Sequence, residues 1–184
     1  MAHPSTLYRF RIDLTDIDRN VYGRVDFRTA MHPSESEFFL MTRVLAYALN
    51  SNEDLKFSKE GLGAPDDPTI SLQDADGSYK LWIEIGNPST KKLHKATKSS
   101  EKVKIYTYKN PMLLIQELFA AKIYEPKRLE LYSFADRMLE RLAANLEKDN
   151  SWNLIHNEET LMIQIGDETI EGTVDSHSLA KLSQ

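Results

Sequence analysis

Leu81-Trp82-Ile83-Glu84-Ile85-Gly86, followed at once by Asn87-Pro88-Ser89-Thr90-Lys91-Lys92-Leu93-His94-Lys95, is the stretch on which the fold turns. Leu81, Trp82, Ile83 and Ile85 are residues of a buried β-strand. After Pro88, either Ser89 or Thr90 suits the cap of a helix running to about residue 102. Glu84 is out of place, because burying a carboxylate as an anion is costly. Either it marks the strand end, where water reaches it, or it has a cationic partner, a metal ion or a lysine.

Working outward, Ile70–Gln73 and Tyr79–Ile85 flank the turn signal Asp74-Ala75-Asp76-Gly77, which predicts antiparallel neighbours. Further upstream, Tyr8, Phe10, Ile12 and Leu14 alternate with Arg9, Arg11 and Asp13. Val25, Phe27, Thr29 and Met31 alternate again beyond the turn Asp16-Ile17-Asp18-Arg19-Asn20, so residues 7–31 read as a β-hairpin. His32-Pro33-Ser34-Glu35 is a helix start, with Pro33 in the first turn or Ser34 and Glu37 as a capping box. Phe38, Met41, Leu45 and Leu49 carry that helix through Asn50. Residues 55–58 make a short strand, and residues 61–68, with Gly61, Gly63, Pro65 and Pro68, a loop.

Downstream, residues 103–108 are β-rich, and Asn110-Pro111 opens a helix to about residue 122. Residues 128–134 form a strand, and residues 135–146 a helix with Met138, Leu142 and Leu146 as its inner stripe. Strands near 152–156, 161–165 and 169–174 follow. This order predicts an α/β (α+β) fold: one domain over residues 1–184, with a central mixed β-sheet flanked by helices and antiparallel β-hairpins at both ends.

The chain has 184 residues, 41% hydrophobic and 28% charged, which is ordinary for a globular protein. It has no cysteine, which excludes disulfides and thiolate metal sites. No apolar stretch is long enough to span a bilayer, and Met1-Ala2-His3-Pro4-Ser5 has neither a basic region nor an apolar core. The expectation is a cytoplasmic protein with no membrane partner. A net charge of -5 argues against generic nucleic-acid binding. Yet Lys91, Lys92, Lys95, Lys98, Lys102, Lys104 and Lys109 share a stretch whose only acid is Glu101. It reads equally as a solvated face or as an anion-binding surface.

Two carboxylates and a lysine at one sheet end can hold magnesium and an attacking water. Here the acids are Glu84 and Asp67 or Asp66, which lie just before the strand that pairs with Glu84's. The lysine is Lys92 or Lys95, both at the start of the next helix, with Glu35 a further acid from the first long helix. The five histidines are scattered, and there is no phosphate-binding glycine loop and no G-x-S-x-G motif. Tyr106 and Tyr108 share one strand face.

At these residues the chain resembles the bacterial YaeQ family. The matching blocks are Asp16-Ile17-Asp18-Arg19-Asn20, His32-Pro33-Ser34-Glu35-Ser36, Arg43-Val44-Leu45-Ala46, Leu81-Trp82-Ile83-Glu84-Ile85-Gly86 with Pro88, and Lys95-Ala96. Phe134-Ala135-Asp136-Arg137 is a weaker block. That family is similar to the restriction-endonuclease-like PD-(D/E)xK fold, so the resemblance implies a magnesium-dependent nuclease site. The usual motif has lysine two residues after its second acid; here that place is Gly86. A lysine migrated to Lys92 or Lys95 fits the family pattern. Many family members carry Pro-Asp where this chain has Pro68-Thr69, so Asp67 or Asp66 would have to replace that acid.

Two functions are therefore expected. One is hydrolysis of phosphodiesters in DNA or RNA. Glu84 and Asp67 or Asp66 would bind magnesium, Lys92 or Lys95 would steady the water, and Glu35 would support it. Ser34, Arg43, Gly86 and Tyr108 would line the substrate cleft. The other is a binding or regulatory protein that keeps the nuclease-like fold without turnover.

Overall fold

The structure is a computed structural model that describes residues 5–58 and 66–179. Its α and β elements divide into two compact units, residues 1–51 with 134–175, and residues 52–133 with 176–184.

The first unit opens with strands β1 (Thr6–Asp16) and β2 (Val21–Met31), an antiparallel hairpin with Arg9 opposite Arg28 and Asp13 opposite Arg24. Helix α1 (Glu37–Leu49) follows, and after the inserted second unit come α4 (Asp136–Ala144), β8 (Asp149–Asn157), β9 (Thr160–Ile165) and β10 (Glu168–His177). Strands β8, β9 and β10 form an antiparallel meander. The two hairpin systems join through a parallel β1–β8 ladder, with Ile12 opposite Trp152. Period-two alternation sends Phe10, Ile12, Leu14, Phe27, Trp152 and Leu154 inward, where Phe10 meets the Phe27 ring at 5.6 Å and the Trp152 ring at 5.2 Å. Helices α1 and α4 pack together with Met41, Leu45, Met138 and Leu142 buried.

Neither expected start for α1 is the observed one. Ser36 is the cap, and its hydroxyl accepts from the Phe39 backbone N–H at 3.1 Å. Residues 32–35 are drawn into a turn in which Glu35 N–H bonds His32 O, so the helix starts one turn later than Pro33 suggests.

The second unit runs β3 (Lys56–Phe57), β4 (Ile70–Gln73), β5 (Tyr79–Ile85), α2 (Thr90–Ser99), β6 (Ser100–Thr107), α3 (Pro111–Ala120) and β7 (Leu129–Phe134). Strands β3, β4 and β5 are antiparallel, whereas β5, β6 and β7 are parallel, so the sheet is mixed. Trp82, Val103, Ile105, Leu129 and Leu131 meet Leu93 and Ala96 of α2 and Leu114 and Leu118 of α3 in one apolar cluster. Helix α2 stops three residues short of its expected end. Lys102 and Lys104 already lie on a strand, both beside Glu130 (2.7 and 3.9 Å). Arg128 closes the helix by donating to Thr97 O and Ser100 O. Of the expected loop 61–68, residues 61–65 lie outside the described residues. Among the described residues, no helix is long and apolar enough to cross a membrane.

Candidate functional site

Strands β5, β6 and β7 end at the same sheet edge because they are parallel. Such carboxyl edges are where ligand sites form in α/β sheets. Glu84 sits there on β5, 3% exposed. Three side chains meet its carboxylate. The Lys92 ammonium lies 2.9 Å from Oε1 and donates to Oε2 at 3.0 Å. The Trp82 indole N–H donates to Oε1 at 2.7 Å, and the Thr69 hydroxyl to Oε2 at 3.2 Å. Burial pushes the Glu84 pKa up, and the Lys92 charge with the bonds from Lys92, Trp82 and Thr69 opposes that without cancelling it.

The backbone explains who supplies the lysine. Gly86 has φ +80, a left-handed conformation that suits glycine, and a Cβ there would lie 3.5 Å from the Tyr108 ring. A lysine two residues after Glu84 would be strained. Gly86 instead turns the chain from β5 toward α2, where the Ser89 hydroxyl accepts from Lys92 N–H. That cap presents Lys92 on the first turn, from which it reaches back to Glu84. A cation on the first turn opposes the helix dipole, so the pairing with Glu84 is what gives Lys92 its place.

Lys95, one turn on, donates to the backbone carbonyl of Asp66 at 3.1 Å. Asp66 and Asp67 are exposed, and the groups that hold the Glu84 carboxylate are Lys92, Trp82 and Thr69. Tyr108 flanks Gly86, with Lys109 Nζ 5.7 Å from its ring centroid. Glu35, Ser34 and Arg43 belong to the first unit. There Arg43 grips Glu35 with two guanidinium bonds of 2.9 and 3.1 Å, and also donates to Ala30 O. Ser34 Oγ contacts the His32 ring at 2.6 Å. Burial depresses the Arg43 pKa against the pull of Glu35.

The sequence reading missed Trp82 and Thr69 as partners of Glu84. Both were within reach of simple rules. Trp82 is two residues before Glu84 and shares its face, and the Ile70–Ile83 register sets Thr69 beside Glu84. Also missed was a polar row along the same edge, where Thr107 donates to Asn87 and Ser133 contacts His177 at 2.7 Å.

A magnesium site needs oxygen ligands, commonly with one or two carboxylates. Among the described residues, no group of three or more His, Asp and Glu is placed to hold a metal ion. At Glu84 an ammonium spans both oxygens, and beside it stands the hydroxyl of Thr69 rather than the expected carboxylate of Asp67 or Asp66. This donor set fits a cationic side chain rather than a divalent ion.

Fold and site thus define a mixed α+β protein with a buried carboxylate–lysine pair at the carboxyl edge of a β-sheet. Residues 1–174 match the YaeQ protein family, and the chain belongs to it. It is 34% identical to the uncharacterized protein YaeQ of Escherichia coli (strain K12) over 108 residues, 59% of each protein. The matched stretch therefore spans about three-fifths of the length of the curated relatives. The structure of YaeQ from Pseudomonas syringae superposes with a TM-score of 0.87 at 30% identity, over 96% of this chain and 98% of that one. YaeQ from Xanthomonas axonopodis pv. citri gives a TM-score of 0.87 at 24% identity, over 95% and 99%, a likeness of fold.

Proposed function

We propose that this YaeQ-family chain is a nucleic-acid-binding module of nuclease-like descent that does not hydrolyse its ligand. The observation that carries this reading is the closed shell around Glu84, in which Lys92, Trp82 and Thr69 occupy both carboxylate oxygens. The strand-end acid then serves to anchor α2. The ligand class follows from α2, which carries Lys91, Lys92, His94, Lys95 and Lys98 and no acid. Lys91, Lys95 and Lys98 are exposed and recur at helical spacing, which suits a phosphate backbone. Tyr124 is 43% exposed beside them, with Lys98 Nζ and Arg128 Cζ within 5.8 and 5.9 Å of its ring. An exposed ring among cations is a stacking platform for single strands.

Fluorescence anisotropy with single- and double-stranded DNA and RNA oligonucleotides tests this, in EDTA and in magnesium. The expected result is binding to a single strand in either buffer, with a salt slope of about -2 for three phosphate contacts. Lys95→Ala with Lys98→Ala weakens it, Glu84→Gln leaves it intact, and the oligonucleotide is uncut. Absence of binding overturns the proposal.

A second reading, magnesium-dependent phosphodiester hydrolysis, draws on the Lys95 bond to Asp66 O, which holds the upstream acidic segment against α2. Metal-dependent cleavage that Glu84→Gln abolishes would establish it and displace the first.

A further inference from the structure

The outward face of the first unit carries two adjacent rows of side chains set by strand register. One row runs Tyr22, Thr15, Ile155, Met162 across β2, β1, β8 and β9. Its members are apolar or amphipathic, and Tyr22, Ile155 and Met162 are 61%, 40% and 38% exposed. The next row runs Arg24, Asp13, Asn153, Gln164 across the same strands and is wholly polar. Each row spans three strand gaps, about 14 Å. Where the rows meet, a hollow of about 440 Å³ opens, lined by Tyr22, Asp13, Arg24, Asn153, Ile155 and Gln164 among others.

We infer that this hollow is a binding site for a neutral oligosaccharide, a trisaccharide-sized segment lying across the four strands. The volume is that of a small-molecule site. Tyr22 offers an exposed ring on which the C–H face of a pyranose stacks, with Ile155 extending the apolar floor. The other row supplies polar groups for hydroxyls. Asp13 and Arg24 pair through two bonds of 2.8 and 2.9 Å. A guanidinium has five N–H donors and a carboxylate about four lone-pair sites, so both keep capacity toward a ligand. The Asn153 amide adds donors and an acceptor, and the Gln164 amide, whose NH2 also donates to Gly166 O at 3.3 Å, adds a further acceptor. The charge decides the class: within the hollow, Arg24 and Asp13 neutralise each other, which gives a phosphate nothing to gain and favours an uncharged, hydroxyl-rich ligand. This site lies on the first unit and owes nothing to the Glu84 reading.

The test is titration of the ¹⁵N-labelled full chain with maltotriose, cellotriose and chitotriose, followed by NMR. At least one should give saturable shifts confined to β1, β2, β8 and β9. Tyr22→Ala should weaken that binding about tenfold, the loss of one stacking contact. Tyr22→Phe should keep it, and Arg24→Met should weaken it with the fold unchanged by circular dichroism. No saturable shift with any of the three sugars at millimolar concentration overturns the proposal, as does binding indifferent to Tyr22→Ala. Shifts on these strands that follow protein concentration without sugar also overturn it and assign the face to a second copy.

Discussion

Removing the Lys92 ammonium leaves Glu84 buried with only an indole N–H and a hydroxyl. Breaking one side of a buried pair costs about 3–5 kcal/mol, and Lys92→Ala should lower stability in urea unfolding by that order. Glu84→Leu with Lys92→Met removes both charges and should cost clearly less than Lys92→Ala alone, since a buried pair repays little beyond its own desolvation. Because burial raises the Glu84 pKa above its ordinary value of about 4.3, the native state holds the proton to higher pH than the unfolded chain does. Stability contributed at this residue is therefore present below the ordinary glutamate range and is lost as pH rises through the raised value. The wild type minus Glu84→Gln difference in unfolding free energy should fall in that direction, and a difference that rises with pH would contradict the burial argument. Glu84 announced itself in the sequence by its apolar neighbours. The sequence narrowed its lysine to Lys92 or Lys95, and the choice of Lys92 rests on the positive φ of Gly86 and the cap at Ser89.

Caps and close contacts govern the elements. The Ser89 and Asn110 side chains each satisfy an orphan N–H at the start of α2 and α3, so alanine at either should cost about 1 kcal/mol by thermal or chemical denaturation. Ser89→Ala should additionally loosen Lys92 from Glu84 and cost more than Asn110→Ala. Gly172 on β10 faces Met138 so closely that an added Cβ would meet Met138 atoms at 2.6 Å. Gly172→Ala should destabilise by about 1–3 kcal/mol through overpacking, and Met138→Ala in the same chain should recover part of it. Individual elements were legible wherever periodicity was strong, as in the first hairpin, α1, and the pair β4 and β5. Boundaries were not legible where local chemistry outweighed periodicity. Ser36 won the cap from Ser34 because the His32–Glu35 turn uses up the earlier residues, and the ladder with β5 claims Lys102 and Lys104 for β6.

At the scale of the molecule, each unit carries one of the chain's two tryptophans, Trp82 at 1% and Trp152 at 2% exposure. Trp152→Phe and Trp82→Phe thus isolate a reporter for each unit. Adding Lys92→Ala should lower the urea midpoint reported by Trp82 more than that reported by Trp152, and identical shifts would show that the units unfold as one. The mixed sheet was foreseeable from the order of elements. The parallel ladder between β1 and β8 was not, because no local pattern links residues 140 positions apart, as Asp16 and His156 are. That ladder has a consequence for biosynthesis. At ribosomal rates of 5–20 residues per second, β1 leaves the ribosome on the order of ten seconds before β8 exists. Throughout that interval one edge of the newborn hairpin, and the apolar side bearing Phe10, Ile12 and Phe27, lie open to other nascent chains. The Arg9–Asp26 and Asp13–Arg24 pairs ride on the opposite side and are complete as soon as the hairpin closes. Each adds a small term to a register set mainly by the apolar alternation, so their loss should surface first as aggregation during translation, before any deficit in the finished protein.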